Sequence, residues 1–132
     1  MKPLSRIDFI SKYYAFVKSI TKATGIFPQT LFAQAILESQ GKVGNAYMVA
    51  GSTLAKDFNN LFGIKADRSW KGKKVNLKTR EVYGGNDVYI TDAFRVYDSP
   101  EESMKDYILF LQKTSIWLVL ILAGAAFYIL KK

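Results

Sequence analysis

Two short runs hold the residues best suited to chemistry: Ala35-Ile36-Leu37-Glu38-Ser39-Gln40-Gly41 and Asn59-Asn60-Leu61-Phe62-Gly63-Ile64-Lys65. The first places one carboxyl at the end of an apolar stretch, just before a glycine. A carboxyl in the last turn of a helix, beside a loop that forms one wall of a cleft, is placed to hand a proton to a departing oxygen. The plain alternative is a solvated glutamate at a helix end. The chain has no His and no Cys, so an imidazole base, imidazole metal ligands and thiolates are all outside its repertoire. Acid–base work therefore falls to carboxylates, Lys or Tyr, and neither a metal nor a cofactor is expected.

These residues need elements to hold them. Ser5, with Asp8 three residues on, suits a helix start, and Ile7, Phe9, Ile10, Tyr13, Tyr14, Phe16, Val17 and Ile20 follow at roughly helical spacing. This predicts a helix from about Ser5 to Ala23, stopped by Gly25. Pro28 opens a second helix in which Leu31, Ala35 and Glu38 share a face until Gly41 ends it. Lys42 to Gly51 reads as a loop, and Ser52 caps a short helix with Leu54, Ala55, Phe58 and Leu61. Between Trp70 and Tyr97 the pattern shortens to Val75 and Leu77, Glu81 to Tyr83, the turn Gly84-Gly85-Asn86, and Val88 to Ile90, which predicts a small antiparallel hairpin. Ser99-Pro100-Glu101-Glu102 supplies an N-cap, a proline at the first position and an acid in the first turn. Met104, Tyr107, Ile108 and Leu111 then form the stripe that docks this last helix on the core.

The 132-residue chain carries 19 Lys and Arg against 11 Asp and Glu, a net charge of +8, which favours anionic partners. Lys65, Arg68, Lys71, Lys73, Lys74, Lys78 and Arg80 crowd a segment whose one acid is Asp67. Such a run is either a solvated face or an attraction to an anionic polymer. With no recognition-helix or ribonucleoprotein signature beside it, nucleic acid is not expected. The first twenty residues spread Lys2, Arg6, Asp8, Lys12 and Lys18 through apolar positions, unlike a secretory signal. Ile116 to Leu130 has no charged residue and lies between Lys113 and Lys131-Lys132. Fifteen residues at ~1.5 Å each span roughly 22 Å, short of a ~30 Å hydrocarbon core, but flanking lysines can snorkel. The division expected is a folded domain over 1–113 and a single-pass membrane anchor over 114–132 that contacts the lipid bilayer. The alternative for the apolar run is a buried core helix.

Glu38-Ser39, Ser52-Thr53-Leu54-Ala55, Asn59-Asn60-Leu61-Phe62-Gly63-Ile64-Lys65, Trp70-Lys71-Gly72, Thr79-Arg80-Glu81, Ala93-Phe94-Arg95-Val96-Tyr97, Ser99 and Glu102-Ser103 occur in the order of the landmarks of glycoside hydrolase family 73. The chain resembles these flagellar-type and autolysin N-acetylglucosaminidases, which cleave peptidoglycan, over about residues 10 to 112. The resemblance implies an α+β, lysozyme-like fold: a mainly helical lobe, a small antiparallel β-hairpin lobe, and a cleft between them for the glycan strand. Under it Glu38 aligns with the general acid that protonates the leaving oxygen of the β-1,4 bond. Glu81 aligns with a second acid proposed to activate water. Two such carboxyls ~6.5 to 9.5 Å apart predict inversion, and ~5 Å predicts retention. Asn60 suits cleft backbone or a substrate amide, Trp70 and Tyr97 suit sugar faces, and Arg95 suits pairing with an acid. The sequence departs from the family pattern between Gly41 and Ser52, where relatives run almost directly into the Ser-x-Leu-Ala helix.

The function expected is therefore an endo-acting peptidoglycan N-acetylglucosaminidase held at a membrane. The alternatives are a muramidase or lytic transglycosylase on the same scaffold, or a non-catalytic membrane or virion structural protein that keeps a glycan-binding cleft. A phage lysin in a virion membrane, with virion proteins as partners, would reconcile a C-terminal anchor with the missing signal; the other location expected is the bacterial cell membrane.

Overall fold

The computed structural model describes residues 1–113. The expected anchor, 114–132, lies outside the described residues, and among those described no helix is long and apolar enough to cross a membrane.

Helix α1 (Arg6–Thr21) starts where Ser5 Oγ accepts the Asp8 N–H at 3.1 Å. Phe9, Tyr13 and Val17 recur every four residues and face inward, each contributing about 1.5–3 kcal/mol by burial. After the turn at Gly25 (φ +77°), α2 (Pro28–Ser39) begins with proline at its first turn and buries Leu31, Phe32, Ala35 and Ser39. Phe32 meets Phe9 edge-on at 5.9 Å, which locks α1 to α2.

The segment expected to be a loop instead forms a short hairpin, β1 (Gly41–Val43) and β2 (Ala46–Met48), paired Gly41↔Met48, Lys42↔Tyr47 and Val43↔Ala46. Gly44 has φ +61° at the first position of its two-residue turn, the position where a type II′ turn takes glycine. Val49 then pairs with Leu4 through two backbone bonds of 3.0 and 2.9 Å.

Helix α3 (Thr53–Phe58) is capped by Ser52 and stops before Leu61, because Asn59 turns left-handed (φ +56°). A long hairpin follows, β3 (Lys74–Tyr83) with β4 (Asn86–Arg95), in the register Tyr83↔Asn86 to Lys74↔Arg95. Gly84 and Gly85 both have positive φ (+58° and +81°), as a type I′ turn requires. The two hairpins are separate two-stranded sheets. Helix α4 (Pro100–Lys113) starts as expected: Ser99 Oγ accepts the Glu102 N–H, and the Glu102 carboxylate accepts the Asp98 N–H. One apolar core joins α1, α2, α3, the Leu61–Ile64 turn and Met104 and Ile108 of α4.

Candidate active site

Glu38 stands exposed in the last turn of α2, and the next residue fixes its position. Ser39 is fully buried; its Oγ accepts the Ala50 N–H at 3.1 Å and its carbonyl accepts the Ser52 N–H at 3.0 Å. Gly41 and Gly51 cross backbone against backbone, so that a Cβ on either would overlap the other's main chain. The end of α2 is thereby stitched to both ends of the β1–β2 hairpin.

The Asn59–Lys65 run is a turn whose two asparagine side chains bond backbone. Asn60 is 1% exposed; its Nδ2 donates to the carbonyls of Ile64 (3.0 Å) and Arg95 (2.9 Å), and its Oδ1 accepts the Ile64 N–H (3.1 Å). Three of the four hydrogen bonds its amide can make therefore go to backbone, at a site 1% exposed. Asn59 Nδ2 donates to the Tyr97 carbonyl, and Ser103 Oγ of α4 accepts the Leu61 N–H.

On this turn Phe62 stacks flat against Tyr107 of α4, with centroids 4.0 Å apart and planes within 4°. Both rings line a cleft of about 350 Å3 with Gly63, Ile64, Lys65, Asp67, Arg95 and Phe110. Burial first, and then the charge of Glu38, push the Tyr107 hydroxyl up to about 12. Lys65 forms an ion pair with Asp92 at 2.8 Å. Its hydrogen bond to Asp92, aided by the charges of Asp92 and Glu81, holds its ammonium above the usual lysine range. Glu81 lies on the half-buried face of the hairpin with Leu77 and Thr79, across from Val88. The charge of Glu38 thus helps raise the Tyr107 hydroxyl, and that of Glu81 the Lys65 ammonium.

Behind the cleft Arg95 is 9% exposed and bound on every side: Nε donates to the Lys65 carbonyl (3.1 Å), an Nη to Asp106 (2.8 Å), and the guanidinium lies 4.6 Å over the Trp70 ring. Tyr97, expected to face the cleft, is 5% exposed and donates its hydroxyl to the same Asp106 oxygen at 2.5 Å. Burial and the adjacent carboxylate raise the Tyr97 hydroxyl far above its ordinary range. A phenol with a carboxylate partner is satisfied inside, and a ring this buried has no open face for a sugar. Trp70, half-buried, meets Tyr97 edge-on at 5.7 Å and donates its indole N–H to the Lys73 carbonyl, so Arg95 and Tyr97 occupy much of its surface. Tyr107 was read from the sequence as part of the α4 stripe, and Asp106 carried no sequence signal of its contacts with Arg95 and Tyr97. Among the basic residues Lys65, Lys73 and Arg80 are paired with Asp92, Asp98 and Asp87, whereas Lys74 and Lys78 stand exposed on the outer face of β3.

The family model described as mannosyl-glycoprotein endo-beta-N-acetylglucosaminidase, the glucosaminidase family, matches residues 14–128. The chain belongs to the glucosaminidase family. Members similar to it include the peptidoglycan hydrolase FlgJ of Vibrio parahaemolyticus, 42% identical over 107 residues, which cover 79% of this chain and 32% of the relative. A probable N-acetylmuramidase of Lactococcus lactis subsp. cremoris is 35% identical over 108 residues, covering 81% of this chain and 22% of the relative. This glucosaminidase-family chain therefore spans about a third or less of these curated relatives. Its fold is the mixed α+β, lysozyme-like one of glycoside hydrolase domains. The catalytic domain of the Listeria monocytogenes autolysin Auto superposes with a TM-score of 0.64 at 33% identity, over 82% of this chain and 56% of that one. A C-terminally truncated glycoside hydrolase domain of Salmonella typhimurium FlgJ gives 0.59 at 28% identity, over 86% and 73%.

Proposed function

We propose that this chain is a peptidoglycan hydrolase that cleaves the β-1,4 glycosidic bond of the glycan strand as an endo-N-acetylglucosaminidase. The observation that supports this reading is the exposed Glu38 in the last turn of α2 of a glucosaminidase-family fold, its backbone fixed by the buried Ser39 and by the Gly41–Gly51 crossing. In the reaction Glu38, protonated, gives its proton to the departing glycosidic oxygen, and Glu81 takes a proton from the attacking water. Arg95, Tyr97 and Asp106 serve as a rigid wall, and Asn60 fixes the turn that carries Phe62. Of Asn60, Trp70 and Tyr97, the half-buried Trp70 is the one assigned to a sugar.

A second reading, a muramidase on the same scaffold, draws support from the name of the Lactococcus relative. The new reducing end separates them. Purified peptidoglycan digested by the full chain, then reduced with borohydride, should yield reduced N-acetylglucosamine in its fragments. Reduced N-acetylmuramic acid would replace the first reading by the second, and an anhydro-sugar would indicate a transglycosylase.

We also propose that residues 114–132 hold the domain at a bilayer. The support is the uncharged run Ile116–Leu130 between lysines.

A further inference from the structure

The β1–β2 hairpin directly follows the candidate acid in the chain, and its place in the fold gives it a use. It leaves α2 directly after Ser39, so Lys42 lies four residues beyond Glu38 and no more than about 14 Å from it along the chain. Tyr47 sits directly across from Lys42, about 5 Å away on the same face. Tyr47 is 68% exposed, and Lys42 is exposed with no ion pair among the described residues. A large aromatic left this far in solvent at a rigid position adds nothing to the core.

The base of the hairpin is fixed at three points. Ser39 holds Ala50 and Ser52, Gly41 and Gly51 cross in contact, and Val49 pairs with Leu4. The pair Lys42–Tyr47 therefore keeps a set position relative to Glu38. Preorganisation of this kind lowers the ordering cost of binding.

We propose that Lys42 and Tyr47 form an additional glycan subsite on the β1–β2 hairpin. It takes an N-acetylated amino sugar next to those in the cleft, its apolar face on the Tyr47 ring and its attached carboxylate on the Lys42 ammonium. The inference rests on the peptidoglycan reading above. An aromatic ring buries apolar sugar surface and keeps a polar tip wet; a lysine on the same face supplies the complementary charge for a lactyl or peptide carboxylate. The subsite binds substrate and transition state alike, so it acts on KM rather than on kcat.

The test compares full-length wild type with Tyr47→Ala, Tyr47→Phe and Lys42→Ala on long glycan strands with intact peptides and on the shortest soluble fragment that wild type cleaves. For Tyr47→Ala on long strands, KM should rise roughly tenfold, the equivalent of one good aromatic contact, with kcat unchanged and no change on the short fragment. Tyr47→Phe should restore the wild-type KM. Lys42→Ala should raise KM on strands with free carboxylates and leave it unchanged on strands whose carboxylates have been amidated. An unchanged KM for Tyr47→Ala on long strands overturns the subsite, as does a loss that falls equally on kcat and on the short fragment. Failure of wild type to cleave any strand would instead overturn the hydrolase reading, a distinguishable result.

Discussion

Replacing Asn60 by alanine separates a wall residue from a substrate residue. The substitution removes three hydrogen bonds at a site that is 1% exposed. The Ile64 carbonyl keeps a second donor, the Arg95 N–H at 3.1 Å, so two groups lose their partner: the Ile64 N–H and the Arg95 carbonyl. Leaving two buried backbone groups unpaired costs about 3 kcal/mol in total. For a chain of this size that lowers the melting temperature by roughly 12 °C. Thermal unfolding of the full chain, followed by circular dichroism, measures it. Asn60→Asp is the sharper variant: it keeps the acceptor for Ile64 but turns a carboxylate oxygen toward two carbonyls, so it should destabilise at least as much. Well below its melting point Asn60→Ala should show the wild-type KM. A variant that melts within about 3 °C of wild type while its KM rises would refute the assignment of Asn60 to backbone and return it to the substrate.

Gly41→Ala should cost about 2–3 kcal/mol through the main-chain overlap with Gly51, and activity should fall with it because the end of α2 moves; urea unfolding and turnover on one preparation check both. Stability should decline between pH 10 and about 12. Tyr107 stays neutral in the fold up to about 12, while the unfolded tyrosine ionises near 10, so the folded state loses its advantage as pH rises through that window. In Tyr107→Phe the alkaline decline of the urea midpoint should be shallower. Flotation with phospholipid vesicles checks the anchor: the full chain should rise with the lipid at high salt, and a chain left at the bottom of the gradient would contradict it.

Much of this fold was legible because its punctuation is local. Ser99-Pro100 marks the start of α4 by cap chemistry alone, and Gly84-Gly85 marks the β3–β4 turn because both positions need positive φ. The β1–β2 hairpin escaped because its strands are three residues long, too short for alternation to show, although Gly44-Asn45 was a turn pair in plain view. Glu38 and Glu81 are assigned from motif order alone. The roles of Asn60 and Tyr97 were not, since residue type and spacing say that a polar or aromatic group sits at a wall but not which side it faces. That side is decided by partners distant in sequence: Asn60 by the Arg95 carbonyl thirty-five residues on, Tyr97 by Asp106 on another element. Arg95 was expected to pair with an acid, but which one depended on how α4 packs.

The measurement that bears most directly on the central claim is release of soluble fragments from purified peptidoglycan by the full chain and by Glu38→Gln, followed by mass spectrometry. Glu38 is exposed and its side chain makes no bond in the fold among the described residues, so the variant should melt within about 0.5 kcal/mol of wild type. Its rate of release should fall about 10²- to 10⁴-fold, the range for a lost general acid. A Glu38→Gln protein that is folded and releases fragments at the wild-type rate would contradict the account.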